Sequence, residues 1–145
     1  MSVFDKQRGM FTAVRAYMQG AFPADDPMIG AMLGTHSTSF SNQTYAVAVS
    51  QGLLALQALD KKLQPSKPLA WLRPSDIASA TIWGEGGGFR EWLATNSEFQ
   101  LRFTTTGGDK YKIMALGGWS MTKMMGQEYI DGLEAVGAWL DRARG

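Results

Sequence analysis

The residues whose types could support chemistry are few and scattered. His36 is the single histidine. It stands between Thr35 and Ser37 with no carboxylate near it in sequence, so it lacks the partner that acid–base work requires and reads as a loop histidine. Asp25 and Asp26 precede Pro27, where two carboxylates could hold a hard cation; beside a proline, a turn or capping role is the better reading. Ser37, Ser39 and Ser41 form no G-x-S-x-G elbow. Asp76, after Pro74, reads as an Asx-type turn residue. Glu85, Arg90 and Glu91 surround the glycine run 84–88 as loop ion-pair partners. That run has neither a G-x-G-x-x-G pattern nor a following Lys-Ser/Thr, so it is no phosphate cradle. Lys61, Lys62 and Lys67 share a proline-containing link that reads as a solvated turn. With no cysteine in the chain, thiolate metal sites, disulfides and cysteine nucleophiles are excluded. The expectation is a protein without catalytic residues, metal or cofactor, and not an enzyme.

The aromatics carry more. Trp83, Phe89 and Trp92 bracket the glycine loop, and Trp119 stands ahead of the last amphipathic segment. Around a loop expected to be flexible, these four form the predicted partner-binding patch, since exposed aromatic surface on a soluble protein marks an interface.

The elements that must position them follow from pattern and composition. At 145 residues the chain is one domain's worth, able to bury roughly 68–70% of its unfolded surface. A net charge of +1 gives no electrostatic reason to expect nucleic acid. No apolar run approaches the ~20 residues of a membrane span. Asp5, Lys6, Arg8 and Arg15 interrupt any signal-peptide core, so a cytoplasmic protein is expected. The nine methionines read as adaptable core filler.

Residues 2–19 form a predicted amphipathic helix, capped by Ser2 with Asp5 in its first turn, ended by Gly20, and apolar along Val3, Met10, Val14, Tyr17 and Met18. After a turn at 22–27, a first strand is predicted over 28–35 despite Gly30 and Gly34, followed by the polar loop 36–43. With Gln51-Gly52 as a two-residue turn, Val49 faces Leu54, Val47 faces Leu56 and Tyr45 faces Ala58, while Ala46, Ala48 and Gln57 take the other face. Further strands are predicted over 69–73 and 77–83, the latter with small Ala78 and Ala80 for close packing, and, on a weaker pattern, over 89–96. Strict alternation marks 98–104 and 110–115. Keeping Phe99, Leu101 and Phe103 on one face with Tyr111, Ile113 and Ala115 requires an odd loop of three or five residues with a glycine at positive φ. The last stretch, 125–144, places Met125, Tyr129, Leu133, Val136 and Leu140 on one helical face.

The order is a helix, about seven short strands, then a long amphipathic helix, which predicts a mainly β (α+β) fold: a small antiparallel barrel or sandwich closed by the C-terminal helix. At this level the chain resembles bacterial pleckstrin-homology-like (PH-like) domains. The resemblance rests on AVAVSQGLLALQAL, a Lys-containing link, PSDIASATIW with its Ser75-Asp76-Ile77 step, EFQLRFTTTGGDKYKI, and QEYIDGLEAVGAWL with Trp139 near its end. It covers roughly 28–143. Residues 1–27 would be an added N-terminal helix and linker packed on the domain, and 28–145 the PH-like barrel with its helix.

The resemblance implies a module that binds phosphoinositides, peptides or proteins. Lipid-binding relatives use Lys and Arg in the loop after the first strand; here 36–43 has neither, so strong phosphoinositide binding is not expected. The expected function is a non-enzymatic protein- or peptide-binding or self-assembly module, homo-oligomers included. The alternative is a carrier of a small apolar ligand or lipid, which would need space left at Ala78 and Ala80.

Overall fold

The alternation of apolar residues over 42–49 and 54–59 builds the hairpin at the centre of the molecule. In the computed structural model, β2 (Asn42–Val49) and β3 (Leu54–Leu59) pair antiparallel with Val49 opposite Leu54, Val47 opposite Leu56 and Tyr45 opposite Ala58, the register that a Gln51-Gly52 turn predicts. Ser50 N–H closes the turn on the Leu53 carbonyl at 2.9 Å. Asp26 clamps it from outside: its carboxylate accepts from Ser50 Oγ at 2.8 Å and from the N–H groups of Gln51 and Gly52 at 3.1 and 3.2 Å. The structure describes residues 3–38, 40–82, 100–115 and 126–143, with side chains from residue 8 onward.

The other elements are α1 (Val3–Ala21), β1 (Gly30–Ser37), β4 (Ala70–Leu72), a single 3-10 turn (Pro74–Asp76), β5 (Ile77–Ile82), β6 (Gln100–Thr105), β7 (Lys110–Ala115) and α2 (Gln127–Ala143). The seven strands among the described residues join one antiparallel sheet in the order β4-β3-β2-β1-β7-β6-β5. This is the α+β architecture that the PH-like resemblance implies, with one correction. Among the described residues the sheet is open: β4 and β5 are its two edges, not neighbours in a closed barrel. β4 spans only three residues between Pro68 and Pro74, and a proline cannot donate to a ladder, so pairing ends there.

Alternation assigns the sheet two faces. One carries Met32, Val47, Val49, Leu54, Leu56, Leu101, Phe103 and Ile113, all buried. α2 packs on this side, where Leu133, Val136, Trp139 and Leu140 are sealed from water. Its backbone comes close to β1: a methyl group on Gly30 would lie 3.0 Å from the Gly132 Cα, and one on Gly132 would overlap the Ala31 carbonyl. Tyr129 Oη donates to the Leu33 carbonyl at 2.8 Å. The glycine at Gly34, which argued against a strand, is required too, because a Cβ there would meet the Met114 carbonyl oxygen at 2.8 Å.

The opposite face is covered over β1–β3 by α1, which buries Phe11, Val14 and Met18. Gln57, fully buried, is the polar pin on that side. It accepts from Tyr17 Oη at 3.2 Å and donates to the carbonyls of Ala58 and Lys67 at 3.1 and 2.6 Å. Phe22 packs edge-on to Trp71 at 5.0 Å. Two expectations are corrected here. The helix does not end at Gly20 but runs to Ala21; Phe22 precedes Pro23, which disfavours helix at the residue before it. Tyr17 is not buried with the stripe: it is exposed along one side and anchored by its hydroxyl, while Phe11 takes the core position.

Candidate functional site

The four residues expected to form the partner patch, Trp83, Phe89, Trp92 and Trp119, lie outside the described residues, as do the glycine run 84–88 and the strand expected over 89–96. What the structure does bring together is the part of the α1-covered face that α1 does not reach, over β5–β6–β7.

The β6–β7 hairpin sets its register. Thr105 N–H donates to the Asp109 carbonyl at 2.8 Å, and Gly108 N–H to the Thr105 carbonyl at 3.0 Å. Three residues, 106–108, lie inside that closing pair, and Gly108 has φ 94°, the left-handed conformation an odd hairpin loop requires. Phe103 therefore pairs with Tyr111 and Leu101 with Ile113 toward the core, and Arg102 pairs with Lys112 and Thr104 with Lys110 on the outer face. On β5, Thr81 stands opposite Arg102 and Ser79 opposite Thr104. The outer face thus carries two cross-strand rows, Thr81–Arg102–Lys112 and Ser79–Thr104–Lys110. They line an open trough of about 330 Å³ with His36 and Tyr111 at its side.

Arg102 and Lys112 form a like-charge pair directly opposite one another, an arrangement that destabilises a sheet. Among the described residues none of Arg102, Lys110 or Lys112 is in an ion pair. A surface that keeps an uncompensated repulsion violates a local folding rule, and such violations concentrate at functional sites.

His36 is on β1, not in the loop expected over 36–43, because β1 continues to Ser37. Its Nδ1 lies 3.1 Å from the Lys112 backbone nitrogen and 3.2 Å from the Lys112 carbonyl oxygen. With its lone pair free it accepts the N–H; carrying a proton it donates to the oxygen. Its ring centroid is 5.7 Å from that of Tyr111 and 6.4 Å from that of Tyr45. Tyr45 and Tyr111 meet edge to face at 6.1 Å, and Phe103 stacks on Tyr111 at 5.0 Å. Burial raises the Tyr45 hydroxyl above its ordinary pKa of 10.0. Tyr111 is raised by burial first, then by the negative charges Tyr45 and Asp109 would carry beside it.

Antiparallel pairing puts the β1–β2 turn, the β6–β7 turn and the start of the β3–β4 link at one end of the sheet. Lys61 and Lys62 therefore stand at the same end as Lys110. Asp60 fixes the link, accepting from the N–H groups of Lys62 and Gln64 at 2.8 and 3.0 Å, and Leu63 adopts φ 59°. At the β1–β2 turn, Thr38 is hydrogen-bonded to Ser41 through backbone and hydroxyl at 2.8–3.1 Å, and Phe40 projects from it 98% exposed. No aromatic signal singled out Phe40 in the sequence, because it is alone in a polar stretch.

The carrier reading needed inward space at Ala78 and Ala80. Ala80 is buried, but Ala78 is exposed, displaced by the register shift between Ile77 and Ser79. A separate apolar groove between α1 and the β3–β4 link, lined by Met10, Val14, Tyr17, Leu59, Leu63 and Pro65 among others, holds about 170 Å³; ligand pockets run from roughly 300 to 1,000 Å³.

No protein-family model matches the chain, and no curated protein is similar to it at a significant level. Among solved structures, it is similar to the C-terminal domain of an unknown protein from Leishmania infantum, at 9% identity over 91% of this chain and 99% of that one, with a TM-score of 0.54. A weaker likeness joins it to the complex of PDZ-RhoGEF DH/PH domains with GTP-gamma-S activated RhoA, at 16% identity over 88% of this chain and 33% of that chain, with a TM-score of 0.44. At such identities the likeness is one of fold alone, and the first structure carries it.

Proposed function

We propose that the protein is a non-enzymatic binding module of the PH-like class that docks a protein or peptide, a second copy of itself included. Phe40 is the observation that carries this reading. A phenylalanine 98% exposed on a turn fixed by hydrogen bonds is a preorganised anchor, and buried aromatics dominate interface energetics. Trp83, Phe89, Trp92 and Trp119 are the proposed extension of the contact surface. The cysteine-free composition fits a reducing compartment such as the cytoplasm. Headgroup capture and nucleic-acid binding are not part of this reading, and neither is turnover of a substrate.

The test places a photo-crosslinking phenylalanine analogue at position 40 and irradiates cells that make the protein. A crosslink to one discrete protein, or to a second copy of the chain, is the expected result. Crosslinks to lipid alone, or none at all, would overturn the reading.

A further inference from the structure

We infer that the outer face of β5–β6–β7 receives an extended acidic segment of a protein partner, with carboxylates on alternate residues. The inference rests on the reading of the protein as a protein-binding module and names what that partner must carry. Lys110 and Lys112 are two residues apart on β7 and point to the same side. Two residues of extended chain span about 6.8 Å, so acidic side chains at positions i and i+2 of a bound segment repeat at the same interval. Arg102, opposite Lys112, offers a planar guanidinium that can take one carboxylate in bidentate fashion. The hydroxyls of Ser79, Thr81 and Thr104 supply further donors along both rows.

Charge complementarity also explains the unpaired Arg102–Lys112 repulsion, since an arriving carboxylate between them turns it into attraction. A nucleic acid is the poorer occupant, because tight duplex binding takes about six to ten phosphate contacts and this face offers three cations. A bilayer would engage a different surface: Phe40, Lys61, Lys62 and Lys110 share one end of the sheet, whereas Arg102 and Lys112 stand on its outer face, and the vesicle comparison below separates the two.

The probe is a fluorescent peptide of alternating Glu and Ser, titrated against the full chain by anisotropy. A Ser-only peptide, a Lys-Ser peptide and phosphatidylserine vesicles serve as comparisons. The Glu-Ser peptide should bind, weaken as salt rises from about 0.02 to 0.3 M, and lose at least about ten-fold in affinity in the Arg102→Glu/Lys112→Glu variant. Lys61→Glu/Lys62→Glu should stay within about two-fold of the parent. Arg102→Glu alone replaces a like-charge pair with an opposite-charge one, so its thermal midpoint should not fall, which separates lost binding from lost folding. Equal binding of Glu-Ser and Ser-only peptides, equal losses in the two double variants, or face-dependent binding to vesicles and not to peptide would overturn the inference. Because this titration uses no crosslink at Phe40, its failure leaves the module reading standing, and the crosslinking result judges that separately.

Discussion

Tyr45 and Tyr111 pack against His36 and against each other at the end of the sheet, where burial holds both hydroxyls neutral beyond the usual tyrosine range. The folded protein therefore keeps these two protons more tightly than the unfolded chain does. That contribution is fully present below the unfolded tyrosine pKa of 10.0 and is lost as pH rises through the higher folded values. Urea midpoints at about pH 9 and about pH 11 should show this fall, and Tyr45→Phe/Tyr111→Phe should flatten it. A double variant that loses as much stability as the parent would show that other groups cause the decline. Single residues were legible in sequence where one neighbour dictates the role. Asp26 beside Pro27 reads as a capping residue, and it clamps the Gln51-Gly52 turn. Phe40 and the Arg102–Lys112 pair were not legible. An isolated phenylalanine looks like a core residue, and two cations ten positions apart become neighbours only once β6 and β7 are in register.

At the scale of elements, α2 is the piece on which the core depends. Leu133→Ala and Trp139→Ala each remove a side chain sealed against the sheet, at an expected cost of ~2–5 kcal/mol in chemical denaturation. Losses under about 1 kcal/mol for both would mean that α2 does not complete the core. Gly132→Ala is the complementary test, adding a single methyl where helix and strand backbones meet. It should cost at least ~1–3 kcal/mol, since backbone on both sides cannot yield. Gly107→Ala, in the β6–β7 turn with an ordinary 3.8 Å contact, should stay within ~0.5 kcal/mol. Propensity misread this kind of residue. Gly30 and Gly34 weakened the first strand as a prediction, yet both sit where a neighbour's atoms leave no room for a Cβ. The hairpins were legible because turn length and face alternation constrain each other; close backbone approach leaves no such trace in one sequence.

For the whole molecule, one sheet face is divided between two uses: α1 covers β1–β3, and the β5–β7 half stays open to solvent. Alternation along β2 and β3 cannot reveal this division, because Ala46, Ala48 and Gln57 fit equally well under a helix or beside water. The same blindness turned an open sheet into an expected barrel. Removing residues 1–27 takes away both α1 and Asp26, exposing Leu33, Ala46, Ala48 and the Gln57 amide together. The shortened chain should lose cooperative unfolding and aggregate, as judged by calorimetry and light scattering. A sharp transition within a few degrees of the parent would show that α1 is a dispensable addition.

The pairing of β1 with β7 has a consequence for how the chain is made. Lys112, whose backbone meets the His36 ring, comes 76 positions later. At about 5–20 residues per second, a ribosome takes roughly 4–15 s to supply it. The β1–β4 meander, whose contacts are local, can form in milliseconds to seconds and then waits with one side of its first strand unsatisfied. A nascent chain at that stage presents a ready template to the matching strand of another copy on the same message. Polysome spacing, and not only affinity, would then set how often two chains exchange their C-terminal halves.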